Sequence, residues 1–375
     1  MKNKNLTLLC VGDIILGDNS EAYFEHVHSV LADGDIVMGQ LEVPYTDRDE
    51  EAIKLERHPD NLSPLVSVGF DVLTLAGNHI SDAGDAGIED TVNWLRGNHI
   101  CTVGAGMNLA EAKQPAIVER EKTKIGILKY NCVGPSETWA ASNKPGCAYV
   151  KVLTHYELEH ANPGGPPSIY TWAEPQSLHS MINDIRELRT KCDVLIVSLH
   201  KGLVHQPVKI AEYEKQLSYA AIDAGADLII SEHAHLLKGI EIYKGKTIFH
   251  GLCNFVAYVP SLFPKSDEDS DAWLNKRMEL FGFKPDPQYP TYPFHSEAIY
   301  TIIAKCIVSD GRITQSSFIP CIVNKEGKPV PVEKSNGGQR VFDYMKDITH
   351  KAGLNASFKW GADDEIIIFE SIHND

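Results

Sequence analysis

The chain has 375 residues, 43% hydrophobic and 23% charged, with 35 Lys and Arg against 51 Asp and Glu, a formal net charge of −16. A chain of this length buries about three quarters of its unfolded surface, as one large α/β unit or as two or three domains. The composition excludes global disorder, collagen and a small disulfide scaffold, and an acidic chain with no basic run argues against nucleic acid and anionic membranes as partners.

The N-terminal apolar run stops at Asp13, too short for a secretory signal, and no run approaches the length of a bilayer span. The expected location is therefore cytoplasmic. Eight cysteines are scattered without a C-x-x-C pair, which points to buried free thiols in a reducing compartment.

In chain order, Leu6 to Val11, Asp35 to Leu41 and Phe70 to Ala76 read as strands, each leading into a polar turn. Ile88, Val92 and Leu95 recur at helical spacing and Gly97 stops that helix. Lys124 to Tyr130 is a strand, and Leu178, Met181, Ile182, Ile185 and Leu188 mark an amphipathic helix. The strand Asp193 to Leu199, the helix Ile210 to Ala224 and the strand Asp227 to Ser231 follow. Ile240 to Tyr243 and Thr247 to His250 read as a hairpin turned by Lys244-Gly245-Lys246. Ile299 to Val308 and Ile313 to Val323 are strands, Arg340 to Lys351 a helix and Glu365 to Phe369 a last strand. Two stretches, 134–175 and 260–293, lack periodicity and read as long functional loops over the site.

Asp13, Glu42, Asn78-His79, His200 and His233-x-His235 each fall at the C-terminal end of an expected strand. Open α/β sheets bind ligands beyond those ends, so residues distant in sequence converge there. One histidine after a strand is more often a hydrogen-bonded structural residue, and one aspartate after glycine is usually a turn residue. The joint set of carboxylates, an amide oxygen and imidazoles is the combination that holds one or two divalent cations, Mn or Zn before Fe or Ca. Such cations polarise a substrate oxygen and activate a bound water.

The strings Gly-Asp-Ile-Ile-Leu-Gly (12–17), Gln-Leu-Glu-Val-Pro (40–44) and Gly-Asn-His-Ile-Ser-Asp-Ala-Gly-Asp-Ala-Gly (77–87) carry a resemblance. So do Ala-Ile-Asp-Ala-Gly-Ala-Asp-Leu-Ile-Ile-Ser-Glu-His-Ala-His (221–235), Gly-Ile-Glu-Ile-Tyr-Lys-Gly-Lys (239–246) and Cys-Asn-Phe-Val (253–256). From residue 6 to about 258 the chain resembles the poly-γ-glutamate capsule-biosynthesis, or CapA-type, family, which is similar to calcineurin-like metallophosphoesterases. The resemblance implies an α/β fold of the metallophosphatase type: a two-sheet β-sandwich flanked by helices, with long inserted loops. It implies a single domain over 1–375, completed by the strands and helix of 296–375. By position it makes Asp13 and Glu42 metal carboxylates, with Glu42 bridging, and Asn78, His200 and His233 ligands of one metal. His235 would belong to the other. His79 becomes an acid aimed at the leaving group, with Asp82 fixing its tautomer, and Asp13 serves turnover as well as the metal.

The chain departs from the phosphoesterase pattern at Asp13-Ile14-Ile15, where Asp-x-His is usual, and at Glu42, where Asp bridges. The family shares both changes. His200-Lys201-Gly202-Leu203-Val204-His205 also lacks the acidic residue of the family's His-Trp-Gly-x-Glu-Tyr. His205 reads as a solvated loop histidine, with an extra ligand or base as the alternative. The proline- and tyrosine-rich 285–295 segment reads either as a lid, with His295 as an inserted acid, base or ligand, or as a rigid surface loop with a capping histidine. Arg57, His58, Lys129 and Lys201 are candidates to hold an anionic substrate group.

The leading expectation is a metal-dependent hydrolase cleaving an amide, peptide-like or phosphoester bond in a small, carboxylated substrate. A metal-dependent peptide epimerase and a non-catalytic polymer-binding accessory protein are the alternatives.

Overall fold

The fold is taken from a computed structural model that describes residues 5–157, 165, 167–260 and 267–370. The first sheet is centred on the strand Leu6–Ile15. Ile36–Leu41, Val72–Thr74 and Cys101–Val103 follow it in parallel on one side. Tyr300–Ser309 pairs antiparallel on its other side, followed by Arg312–Val323, Ile366–Glu370 and Ala356–Trp360. The C-terminal strands thus complete the sheet that the N-terminal strand begins. The second sheet is centred on Val194–Lys201, parallel to Thr123–Asn131 and Leu228–His233. Lys246–Phe249 extends it, with Ile240–Tyr243 in the expected hairpin and Lys244 and Gly245 at positive φ in the turn.

Side chains alternate across each strand, and this alternation builds the layers. Cys10, Met38 and Val72 of the first sheet share one core with Ile127, Ile196 and Ile230 of the second. The intervening residues Leu9, Val37 and Leu73 face Ile88, Val92 and Leu95 of the helix Gly84–Gly97. Leu195 and Val197 face Met181, Ile185 and Leu188 of the helix Pro175–Arg189, and Leu217 and Ala221 of Glu212–Ala224. The result is helix, sheet, sheet, helix, as the resemblance implies. Strands covered on both faces read as unbroken apolar runs. Each fully buried Leu or Ile contributes about 1.5–3 kcal/mol.

The two stretches expected to be aperiodic are only partly so. Val152–Glu157 and Ser168–Ala173 form an antiparallel ribbon, Tyr156 opposite Ile169 and Leu153 opposite Trp172. Its strands pair chiefly with each other and leave Tyr156, Ile169 and Trp172 exposed, so no buried face imposes an alternation on the sequence. Asp267–Phe281 is a helix. With Met278 and Leu280 exposed, its apolar residues do not form the stripe by which helices are recognised. Residues 158–164 and 166 of the first stretch and 261–266 of the second lie outside the described residues. Among the described residues, no helix is long and apolar enough to cross a membrane.

Candidate metal centre

The strands deliver their polar residues to one place between the two sheets. Asp13 sits at a bulge: the register of Leu6–Ile15 shifts on either side of it, against Ile36–Leu41 and against Asn254–Ala257. Gly12 permits this close passage, since a Cβ there would stand 1.9 Å from the carbonyl oxygen of Cys253. Glu42 follows directly on Leu41, and His233 ends its strand with φ 94. Gly77 lies against His200, whose Nε2 would be 3.3 Å from an added Cβ.

Three ligand-type atoms meet on one side. Asn78 Oδ1 is 2.7 Å from His200 Nε2 and 3.2 Å from His233 Nδ1, and those two nitrogens are 3.2 Å apart. On the other side His235 Nε2 is 3.7 Å from Glu42 Oε1, and His235 Nδ1 is 3.8 Å from Asp13 Oδ2. Glu42 belongs to both sides: it groups with His200 and His233, and again with Asp13 and His235, the ligand atoms of each group within 4.8 Å of one another.

Asp13 and Glu42 are 0% exposed, yet Asp13 Oδ1 and both oxygens of Glu42 have no hydrogen-bond partner. A buried acceptor left unpaired costs about 1–3 kcal/mol, more when charged. Burial, then the charge of Glu42, pushes Asp13 up to about 8 against the pull of His235, the His233 N–H and Lys129. Burial likewise pushes Glu42 up to about 7. His200 and His233 are held well below the usual imidazole range, first by burial, and so stay neutral with lone pairs to offer. Orphaned carboxylate oxygens beside neutral imidazoles fit a divalent cation, and the mixed oxygen and nitrogen donors suit Mn, Fe or Zn.

The surrounding residues set the tautomers. His200 Nδ1 lies 3.3 Å from Glu232 Oε1, and Glu232 is itself ion-paired with Lys129. Asn254 Oδ1 accepts from His235 Nδ1 at 2.7 Å, and Asn254 Nδ2 donates to the hydroxyl of Tyr292 at 3.1 Å. That hydroxyl donates to the carbonyl of Ala298 at 2.8 Å. The chain of bonds turns His235 Nε2 toward Glu42, as ligand histidines are usually turned by a partner on their other nitrogen. None of Glu232, Asn254 and Tyr292 is singled out by the sequence reading. Glu232 and Asn254 stand inside the Glu-His-Ala-His and Cys-Asn-Phe-Val strings and Tyr292 inside the tyrosine-rich 285–295 segment, but nothing in those strings assigns them a role.

His79 Nδ1 is 2.7 Å from Asp82 Oδ2, the contact expected across one turn. Burial opposes its charge, but Asp82, Glu42 and Asp13 outweigh burial and lift it to about 9.

Other expectations need correction. His295 lies outside the ligand groups: its Nδ1 accepts from the Glu297 N–H at 3.1 Å, capping a short helix, and its ring meets Phe283 edge-on. His58 Nδ1 does the same for the Asp60 N–H. Lys129 and Lys201 have buried side chains ion-paired with Glu232 and Glu214, so each charge is already answered within the protein. His205 is buried rather than solvated, among Phe281, Phe283, Phe294 and His235, and burial holds it at about 2.

The family model described as "Bacterial capsule synthesis protein PGA_cap" matches residues 7–259. The chain is 29% identical over 262 residues to the PGA biosynthesis protein CapA of Bacillus subtilis (strain 168), covering 66% of this chain and 62% of that protein. It is 26% identical over 272 residues to the capsule biosynthesis protein CapA of Bacillus anthracis, covering 68% and 60%. It therefore spans about 60% of the length of the curated relatives it matches. Among solved structures, the calcineurin-like phosphoesterase YfkN from Bacillus subtilis aligns over 93% of this chain and 97% of that one, at 15% identity and a TM-score of 0.43. The matched stretch runs from the first strand past His235, and on it the chain belongs to the bacterial capsule synthesis protein family PGA_cap.

Proposed function

We propose that the chain is a metal-dependent hydrolase of a small or peptide-like substrate, an amide before a phosphoester. The observation that carries this reading is Glu42, fully buried with both oxygens unpartnered and shared between two groups of ligand-type side chains. Asp13, Glu42 and His235 would hold one cation, and Glu42, Asn78, His200 and His233 a second. A divalent cation there supplies Lewis acidity, polarising a substrate oxygen and lowering the pKa of a coordinated water. Asp82 accepts from Nδ1–H of His79 and leaves the opposite nitrogen as donor beside Glu42 and His235. His79 then delivers a proton to the leaving group as the bond breaks. The scattered, unpaired cysteines suit a reducing compartment, and we place the protein in the cytoplasm.

The test is turnover of a panel of dipeptide amides, γ-glutamyl amides and aryl phosphates with Mn- or Zn-loaded protein in deuterated water. Product release that falls by about 10²–10⁴-fold in His79→Ala, with metal content kept, is the expected result. Deuterium entering unchanged substrate without product would replace hydrolysis by epimerisation. Neither product nor exchange would leave a binding protein.

A further inference from the structure

A cavity of about 190 Å³ opens beside the ligand cluster and is shared with Glu42, His79 and His235. Apart from these, Asp82 and Arg57, its lining is apolar, with Leu55 and Phe294 prominent. Arg57 is unusual in this setting. It is 6% exposed, and its Nη1 and Nη2 donate to the backbone carbonyls of Leu16 and Tyr258. Both partners are neutral. Among the described residues, no carboxylate lies within ion-pair distance of it.

A guanidinium carries five N–H donors and a full charge, so two carbonyls satisfy only part of it. Buried cations are normally matched by an anion. Here the cation lines a hollow whose walls are apolar apart from Asp82, which is held by His79, and the hollow ends at the cluster. Its volume is below the roughly 300–1,000 Å³ of pockets for drug-sized ligands, so it suits one compact unit and not a stretch of polymer. The pendant carboxylates of a polyglutamate chain would lie against apolar walls with a single cation to answer them.

We propose that this cavity receives a compact apolar group that carries one carboxylate, which pairs with Arg57 while the adjoining bond is presented at Glu42, His79 and His235. The assignment of the reacting end rests on the hydrolase reading above. The carboxylate and its apolar body are recognised by Arg57 and by walls that take no part in the chemistry.

Calorimetric titration of metal-loaded protein with phenylacetate, benzyl alcohol and glutarate tests it. Phenylacetate should bind at least about tenfold more tightly than either other probe, because one lacks the charge and the other the apolar body. Arg57→Gln and Leu55→Asp should each weaken phenylacetate by about tenfold or more with metal content unchanged. Leu55 is 40% exposed, so its replacement leaves the fold in place even if Arg57→Gln does not fold. Equal binding of benzyl alcohol, or wild-type affinity in either folded variant, overturns the proposal. So does phenylacetate binding that disappears on chelation yet survives Arg57→Gln, which would put the carboxylate on the metal. Binding that follows Arg57 in a protein that takes up no metal supports the cavity assignment and sinks the hydrolase reading.

Discussion

His200 and Lys201 are consecutive on one strand and point to opposite sides of it, into two buried polar regions. On the His200 side, Asp13 and Glu42 keep oxygens without any partner. On the Lys201 side Lys201 and both carboxylates are answered. Lys201 donates to Glu214 at 3.2 Å and to His250 Nδ1 at 3.0 Å, His250 Nε2 donates to Glu241 at 2.9 Å, and Tyr219 donates to the other Glu241 oxygen. Glu214 also accepts from the Ala211 N–H at 2.8 Å. Both regions are equally dry, with His200, Lys201, Glu214, His250 and Glu42 all at 0% exposure. Burial of charge therefore does not by itself mark a functional site. Burial with acceptors left open does, because a satisfied network holds the fold and an unsatisfied one is completed by a ligand.

The sharpest way to break this comparison is to neutralise one carboxylate on each side. Glu42→Gln should lose most of its bound metal by elemental analysis. With chelator present it should also unfold at higher denaturant than chelated wild type, by about 1–3 kcal/mol, because an unanswered buried charge has gone. A chelated variant less stable than wild type would show that Glu42 is structurally paired.

Lys201→Met should do the reverse. It strands Glu214 in the core and should destabilise by about 3–5 kcal/mol in denaturant titration, while metal content per folded molecule stays at the wild-type level. Loss of metal from the folded variant would join the two regions into one.

The paired side also predicts a pH dependence. His250 is held at about 4, by burial first and then by the charge of Lys201. The unfolded chain takes up this proton near pH 6.5, whereas the folded protein resists it. The stability linked to His250 is thus fully present above about pH 6.5 and is lost as pH falls toward 4, by up to about 3 kcal/mol. His250→Gln should flatten that part of the stability curve, and an unchanged slope would assign it to another group.

The smallest effect is expected at the edge of the open side. Tyr292→Phe removes the hydroxyl that holds Asn254 and, through it, His235. Metal affinity should weaken by about tenfold, at the low end for partners of ligand residues, with the melting temperature of the chelated protein nearly unchanged. Calorimetric metal titration reads this directly, and unaltered affinity would remove Tyr292 from the relay.

The sequence by itself determined the order of the main strands and helices, because strands covered on both faces need apolar runs and their covering helices need a stripe. It also determined that Asp13, Glu42, Asn78, His79, His200, His233 and His235 sit at or near strand ends, where parallel sheets gather ligands, and that Asp82 lies one turn from His79. It did not disclose the ribbon or the helix Asp267–Phe281, where exposed Tyr156, Ile169, Trp172, Met278 and Leu280 leave no period to read. Nor could it separate His200 from Lys201, or a buried His205 from a solvated one, because the side of a strand and the depth of a loop are set by what packs against them. Glu232, Asn254 and Tyr292 entered the site the same way. Each acts through a partner 19 to 38 positions away in the chain, at distances between 2.7 and 3.3 Å, and only tertiary packing makes such contacts.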